Sequence, residues 1–286
     1  MISATTRLAA VIGCPVRHSL SPALHNAGFA ATGRDWVYTA FEVAPGRAGD
    51  ALDAMRVLGF GGLSVTMPHK EAVADLVDEL DPAAAMLRSV NTVVPLADGR
   101  LKGYSTDGAG FVAWLAAQQV DVAGAAVGVL GAGGAGRAIV DALARAGAAR
   151  ITVINRSAER ARSAAALAGE MGVVAGPEAL PGCDIVVNAT SIGMGSIGTE
   201  SIGTESADLP CDPALLHPGQ VVADIVYHPR RTALLDAAEH RGARPVEGLG
   251  MLVHQAVLQQ QLWTGEAPSP AVLWAAAERQ LAPLGQ

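Results

Sequence analysis

The chain has 286 residues, half of them hydrophobic, with a net charge of −7 and a pI near 5.5. That length suffices for one large domain or two ordinary ones around a sizeable core. The acidic balance argues against a nucleic-acid or anionic-membrane surface, since either would need a basic patch, and favours a small-molecule partner.

Leu8–Ile12 reads as a short strand stopped by Gly13-Cys14-Pro15. Ser21 has the character of a helix N-cap, with Pro22 at the first helical position. Capping does not account for Ser19 two residues earlier, and two hydroxyls at a strand-to-helix turn are equally suited to gripping the hydroxyls or carboxylate of a polar ligand. Val37–Val43 and the stretch Phe60–Thr66 read as strands around a helix Ala48–Leu58, the β-α-β-α pattern of an α/β domain. Pro68 then places Lys70 at the head of a new helix. A cation is disfavoured there by the helix dipole, so Lys70 is either an ordinary surface lysine or a functional one.

Helical signals continue to about Arg88, and Asn91 lies at the loop-to-strand start of the next apolar run. A hairpin turn at Ala97–Arg100 leads to a strand ended by Asp107-Gly108, which opens a helix Ala109–Gln118. Asp107 is either the N-cap of that helix or an acid/base partner, for which Lys70 is the candidate neighbour.

Val127–Arg156 reads as strand, glycine turn, Ala-rich helix and second strand. Gly131, Gly133 and Gly136 supply the G-x-G-x-x-G spacing: a tight turn, close approach of a pyrophosphate, and helix packed on strand. The helix N-terminal amides would point at that phosphate. A site for the unphosphorylated dinucleotide would usually carry an acidic residue after the second strand; here the position is Asn155, followed by Arg156 and Arg160. Two guanidiniums suit a 2′-phosphate, so NADP(H) is expected over NAD(H), the alternative being two arginines on a solvated helix face.

Further on, Ala158–Met171 reads as a helix and Cys183–Asn188 as a strand running into Thr190 and Gly193, polar and small residues where open α/β sheets bind ligands. Ser-Ile-Gly-Thr-Glu occurs at 196–200 and again at 201–205, read as an enlarged surface loop without chemistry. Val221–Tyr227 is a strand containing Asp224, and Thr232–His240 a helix. Gly248-Leu249-Gly250 breaks the pattern before a long helix from Met251 to about Thr264 and a last one, Pro270–Leu281. With no strand to alternate with, this pair is expected to pack back on the first domain, with Gln255 facing the cleft.

Cys14, Cys183 and Cys211 are odd in number and widely spaced with no C-x-x-C, which suggests neither a disulfide framework nor a zinc knuckle. His18, His25, His69 and His254 lack metal-ligand spacing, so no metal is expected. The N-terminal stretch lacks a signal-type apolar core, and no run approaches the roughly 18 apolar residues of a membrane span; a soluble cytoplasmic protein is the expectation.

The assembled motifs VIGCPVRHSLSPALHN, SVTMPHK, SVNTVV, STDGAGF, GAGGAGRA, INRS, NATSIGM, DIVYHP and GLGMLVHQA resemble, in order and spacing, those of the shikimate dehydrogenase family over nearly the whole chain. The resemblance implies an α/β fold of two domains. An N-terminal substrate-binding catalytic domain (1–107) would be completed by C-terminal helices (248–286), with a Rossmann NADP-binding domain (108–247) inserted between. It implies that Ser19 and Ser21 bind the substrate carboxylate and that Thr66, Asn91, Tyr227 and Gln255 hold the ring substituents. Lys70 and Asp107 match the family's catalytic pair. The cofactor NADP(H) would be held by Gly131, Ala132, Gly133, Gly134, Ala135, Asn155, Arg156, Ser157, Arg160, Thr190, Ile225 and Gly248. The implied reaction is the reversible NADPH-dependent reduction of 3-dehydroshikimate to shikimate, one step of aromatic amino acid biosynthesis, by a monomer or homodimer.

The chain departs from the family pattern at Ser64, often Asn, and at Ser105 in Ser105-Thr106-Asp107, usually Asn. Both changes shorten polar side chains and bear on which ring substituents are accepted. Related enzymes of quinate or of amino analogues of shikimate share most of the motifs, and a non-catalytic NADP-binding sensor is the alternative from another class.

Overall fold

The computed structural model describes residues 2–195 and 208–281, so the duplicated pentapeptide at 196–205 lies outside the described residues. The chain divides into two compact units, Met1–Thr106 with Val253–Gln286, and Asp107–Leu252.

In the first unit the order is β1 (Arg7–Gly13), α1 (Ser21–Ala31), β2 (Trp36–Glu42), α2 (Ala48–Leu58), β3 (Gly62–Val65), α3 (Lys70–Leu76), β4 (Glu79–Leu80), α4 (Pro82–Leu87), β5 (Thr92–Pro95) and β6 (Leu101–Tyr104). The six strands form one mixed sheet in the order β2-β1-β3-β5-β6-β4. β1 is parallel to both β2 and β3, whereas β5 runs antiparallel to β3 and β6. Alternation along β1 explains why the sheet is covered on both faces. Ala10 and Ile12 join Leu52, Met55, Leu63 and Val73 on one side, while Ala9 and Val11 join Phe29 and Tyr38 on the other.

The second unit contains α5 (Asp107–Ala117), β7 (Ala126–Leu130), α6 (Gly134–Arg145), β8 (Arg150–Ile154), α7 (Ala158–Ala165), β9 (Gly172–Val174), β10 (Ile185–Asn188), β11 (Val221–Asp224), α8 (Ala233–His240) and β12 (Arg244–Val246). Its sheet runs β12-β11-β10-β7-β8-β9 with every neighbouring pair parallel. Counted from β7, this is the doubly wound order of a dinucleotide-binding sheet, and the winding reverses between β7 and β10. Fully buried Val127, Val129, Ile151, Val153, Val186 and Val187 show why these strands read as continuous apolar runs.

The long helix α9 (Leu249–Thr264) begins in the second unit and continues into the first, where α10 (Pro270–Leu281) packs on α1. The Trp263 ring lies directly over Gly62, at a distance no side chain there would allow, and its Nε1 donates to the Val93 carbonyl at 3.1 Å.

Several local expectations are corrected. Ser21 is the first residue of α1 rather than its N-cap; Leu20 stands before it, and the Ser19 Oγ accepts the Ser21 N–H at 3.2 Å. Asp107 likewise lies inside the first turn of α5. The region 70–88 is two helices, because Val77 turns extended and Glu79–Leu80 pairs with β6 before Asp81 caps α4 through the Ala84 N–H. The expected helix 158–171 gives way after Ala165 to 3-10 turns, with Gly169 at φ 57, ψ −131. The strand at 221 stops at Asp224, whose carboxylate takes the Val226 N–H that a longer ladder would use. Gly250 does not break the chain: it sits in the first turn of α9 because a Cβ there would enter the Trp114 ring.

Candidate active site

In the first unit, the turn after β1 and the ends of β3 and β5 assemble most of the expected substrate residues. Ser19 and Ser21 stand at the head of α1, both half-buried. Thr66 continues β3, its N–H donating to the Ile12 carbonyl at 2.9 Å and its methyl filling the space above Gly13. Lys70 opens α3, half-buried, and its carbonyl accepts the Val90 N–H at 3.0 Å, which ties the head of that helix to the segment carrying Asn91.

Asn91 is 3% exposed. Its Oδ1 accepts the Thr106 N–H and the Thr92 hydroxyl, each at 2.8 Å, and its Nδ2 donates to the Thr106 Oγ1 at 2.9 Å. Gln255 lies buried on α9, with Gln259 one turn further on the same face.

Beneath these residues is a buried polar group that sequence reasoning missed. The Tyr38 hydroxyl donates to Ser64 at 2.7 Å, and Ser64 donates to the Gln259 Oε1 at 3.0 Å. His25 stacks on Tyr38 with ring centroids 4.3 Å apart and bonds Gln259 and Gln260 through its two ring nitrogens, each at 3.1 Å. Burial pushes the His25 imidazole down to about 3 and the Tyr38 phenol well above its ordinary range, so both are neutral. His25, one of the histidines without metal-ligand spacing, is a satisfied core histidine. The available signal was the i, i+4 spacing of Gln255 and Gln259 on a helix whose other polar positions look like a solvent face.

In the second unit, the expected cofactor residues gather at the carboxyl ends of β7, β8, β10 and β11. Gly131 follows β7 at φ +105, a conformation that disfavours a side chain, with Ala189 and Thr190 of the β10 end against it. A Cβ on Gly136 would run into the Gly131 carbonyl, so the third glycine brings helix onto strand as its spacing predicts. Gly133 and Gly134 are exposed with open space above them, and Gly134 and Ala135 form the first turn of α6. These are the conditions for amides to face a phosphate.

Asn155 accepts the Ala132 N–H at 3.2 Å and donates to the Ser157 carbonyl at 3.0 Å, joining the glycine turn to the β8 end. Ser157 caps α7 through the Arg160 N–H. Arg156 and Arg160 are exposed and have no carboxylate partner among the described residues.

At the neighbouring strand ends, Thr190 donates to the Asn188 Oδ1 through both its N–H and its hydroxyl, and the Ile225 N–H donates to the Asn188 carbonyl. Gly248 fits tightly under the Asp224–Val226 backbone. Asp224, unassigned from sequence, is the centre here: it accepts from Asn188, Val226 and Thr232 at 2.7–3.0 Å, and burial pushes its carboxyl up to about 6 against those bonds. Burial also raises Tyr227. Ser19, Ser21, Thr66, Lys70, Asn91 and Gln255 thus belong to the first unit, and Asp107 and Tyr227 to the second.

Residues 11–93 match the family model for the shikimate dehydrogenase substrate binding domain, 114–208 that for shikimate / quinate 5-dehydrogenase, and 248–278 that for the shikimate 5'-dehydrogenase C-terminal domain. The chain belongs to the shikimate dehydrogenase family. A shikimate dehydrogenase (NADP(+)) of Moorella thermoacetica is 43% identical over 282 residues, covering 95% of this chain and 92% of the relative. Among solved structures, the shikimate 5-dehydrogenase of Thermus thermophilus in complex with NADP(H) and shikimate has a TM-score of 0.88 at 34% identity, covering 96% of this chain and all of that one. The family's fold also carries other specificities. Quinate dehydrogenase from Corynebacterium glutamicum in complex with NAD has a TM-score of 0.85 at 32% identity, covering 96% of this chain and 99% of that one.

Proposed function

We propose that this chain catalyses the reversible NADPH-dependent reduction of 3-dehydroshikimate to shikimate, in the cytoplasm. The observation that carries the reading is near-full-length likeness to NADP-dependent shikimate dehydrogenases, with Asn155 in the position where an NAD site would usually hold a carboxylate. Residues 1–107 with 248–286 are taken as the substrate-binding catalytic domain and 108–247 as the cofactor domain.

In this reading Arg156 and Arg160 bind the 2′-phosphate, to which an exposed guanidinium without a carboxylate partner among the described residues is well suited. The amides of the 131–135 turn hold the pyrophosphate, with Asn155 fixing the turn through Ala132. Thr190, Ile225 and Gly248 complete the cofactor's surroundings. Bound NADPH supplies the hydride.

Ser19 and Ser21 hold the substrate carboxylate, and Thr66, Asn91, Tyr227 and Gln255 the ring hydroxyls. Hydride arriving at a carbonyl carbon builds negative charge on oxygen; the Lys70 ammonium stabilises that charge, and a proton from it or from solvent completes the hydroxyl. By the same likeness to the family, Asp107 is assigned as the second member of the catalytic pair with Lys70. The experiment is a steady-state panel of shikimate and quinate against NADP+ and NAD+, followed by nicotinamide absorbance. Turnover with shikimate and NADP+ supports the reading. Preference for quinate assigns the chain to that branch, to which the shortened Ser64 and Ser105 are relevant, and silence with every pair leaves an NADP-binding sensor. Size-exclusion chromatography separates monomer from homodimer.

A further inference from the structure

Gln259 is nearly inaccessible to solvent, at 2% exposure, and its amide uses all its hydrogen-bonding capacity. Oε1 accepts from Ser64 at 3.0 Å and from His25 at 3.1 Å; Nε2 donates to the Thr92 Oγ1 at 2.9 Å and the Asn91 carbonyl at 3.3 Å. The sense of these bonds is fixed from one end. Gln260 Nε2 donates to both the His25 carbonyl, at 2.9 Å, and Nδ1 of the ring. Nδ1 therefore accepts, Nε2 carries the proton, and the atom facing Nε2 is the Gln259 oxygen.

That leaves the Gln259 NH2 facing β5. Thr92 receives one of its protons and so turns its own hydroxyl proton to the Asn91 Oδ1. The Thr106 N–H donates to the same oxygen, and the Asn91 Nδ2 points to the Thr106 Oγ1. The Asn91 amide is thus held in one sense from two sides, by the Thr106 N–H and by the run of bonds from Gln260 through His25, Gln259 and Thr92.

We propose that Gln259 is a positioning residue for substrate recognition, acting through Thr92, beside the Thr106 N–H, to hold which end of the Asn91 side-chain amide donates and which accepts. A polyol ring offers hydroxyls that fill either role, so a rotated Asn91 would still fit by shape and would mismatch the hydrogen bonds. The proposal rests on the reading of Asn91 as a ring-binding residue.

The test compares the full-length wild type with Gln259→Met, which keeps chain length and removes the amide, with Thr92→Val, which removes only the hydroxyl, and with the double variant. Each single variant should raise the KM for shikimate about tenfold, the cost of one lost buried hydrogen bond, with a smaller change in kcat. The double variant should be no worse than the poorer single one, because both cut the same chain of bonds. NADP+ affinity, governed by residues of the other unit, should not move.

A merely structural role would lower the melting midpoint of each variant and leave KM of the folded enzyme within about twofold of wild type, and that result overturns the proposal. Additive effects on KM overturn it as well. If Gln259→Met does not fold, Thr92→Val carries the test alone through the same KM criterion. A wild type inactive on shikimate and quinate overturns the functional reading and this proposal with it, whereas an active wild type with kinetically normal variants overturns this proposal only.

Discussion

His25 gives the fold a built-in acid lability whose size follows from its surroundings. The ring is completely buried against Tyr38 and Trp263, and both its nitrogens are bonded in the neutral form. A second ring proton would face the donating NH2 of Gln260 and lose its hydration. Burial accordingly lowers the folded-state value from 6.5 to about 3, opposed by the bond to Gln259. In the unfolded chain the imidazole protonates near 6.5. Between those values the unfolded state binds more protons, so this contribution is complete above the unfolded value and is lost as pH falls toward the folded one.

The ceiling on that loss is about 5 kcal/mol, and at about pH 5 it is already about 2 kcal/mol. The assay is denaturant unfolding of wild type and His25→Asn at about pH 7.5 and about pH 5. The variant is less stable at the higher pH, and the gap should narrow by about 2 kcal/mol at the lower one, other titrating groups cancelling in the difference. A gap that stays the same at both pH values refutes the reasoning.

Three further outcomes are expected. Arg156→Ala and Arg160→Ala should each weaken NADP+ binding about 10- to 100-fold, the range for a lost charge-assisted hydrogen bond, and leave NAD+ binding unchanged in calorimetric titration. Lys70→Ala should lower kcat by about 100-fold or more, as for loss of a proton-transferring or charge-stabilising group, with a much smaller change in KM; near-normal turnover removes Lys70 from the mechanism. Gly136→Ala sets a methyl against the backbone carbonyl of Gly131, which has no rotamer to yield. About 1–3 kcal/mol of stability should be lost in thermal or denaturant unfolding, together with NADP+ affinity.

The parts of the fold legible in the sequence are those whose causes are local. Gly131, Gly133 and Gly136 announce a turn between strand and helix: Gly131 takes the positive φ of the turn and Gly136 the close approach of helix to strand, while a Cβ on Gly133 would meet open space. Ala48–Leu58 and Pro270–Leu281 match their observed bounds because turn residues and Pro punctuate them. β4, β9 and β12, of two or three residues, exist only by pairing with a neighbouring strand and are too short to show a period. Gly250 looked like a breaker because its reason, the Trp114 ring, lies far along the chain.

The same division holds for the candidate site. Ser19, Lys70, Asn91 and Asp107 stand out as polar residues at element ends. Tyr38, His25 and Gln259 sit within regular elements, and only the tertiary fold turns them toward one another. Ser64 could be noted from sequence as a shortened side chain, but not as the link between Tyr38 and Gln259.

The most direct test of the account is the ratio of kcat/KM for shikimate with NADP+ to that with NAD+, measured on the wild type beside the corresponding values for quinate. The expected result is turnover of shikimate, a clear preference for NADP+, and weaker use of quinate. No turnover of shikimate with NADP+, or equal use of the two cofactors, would contradict it.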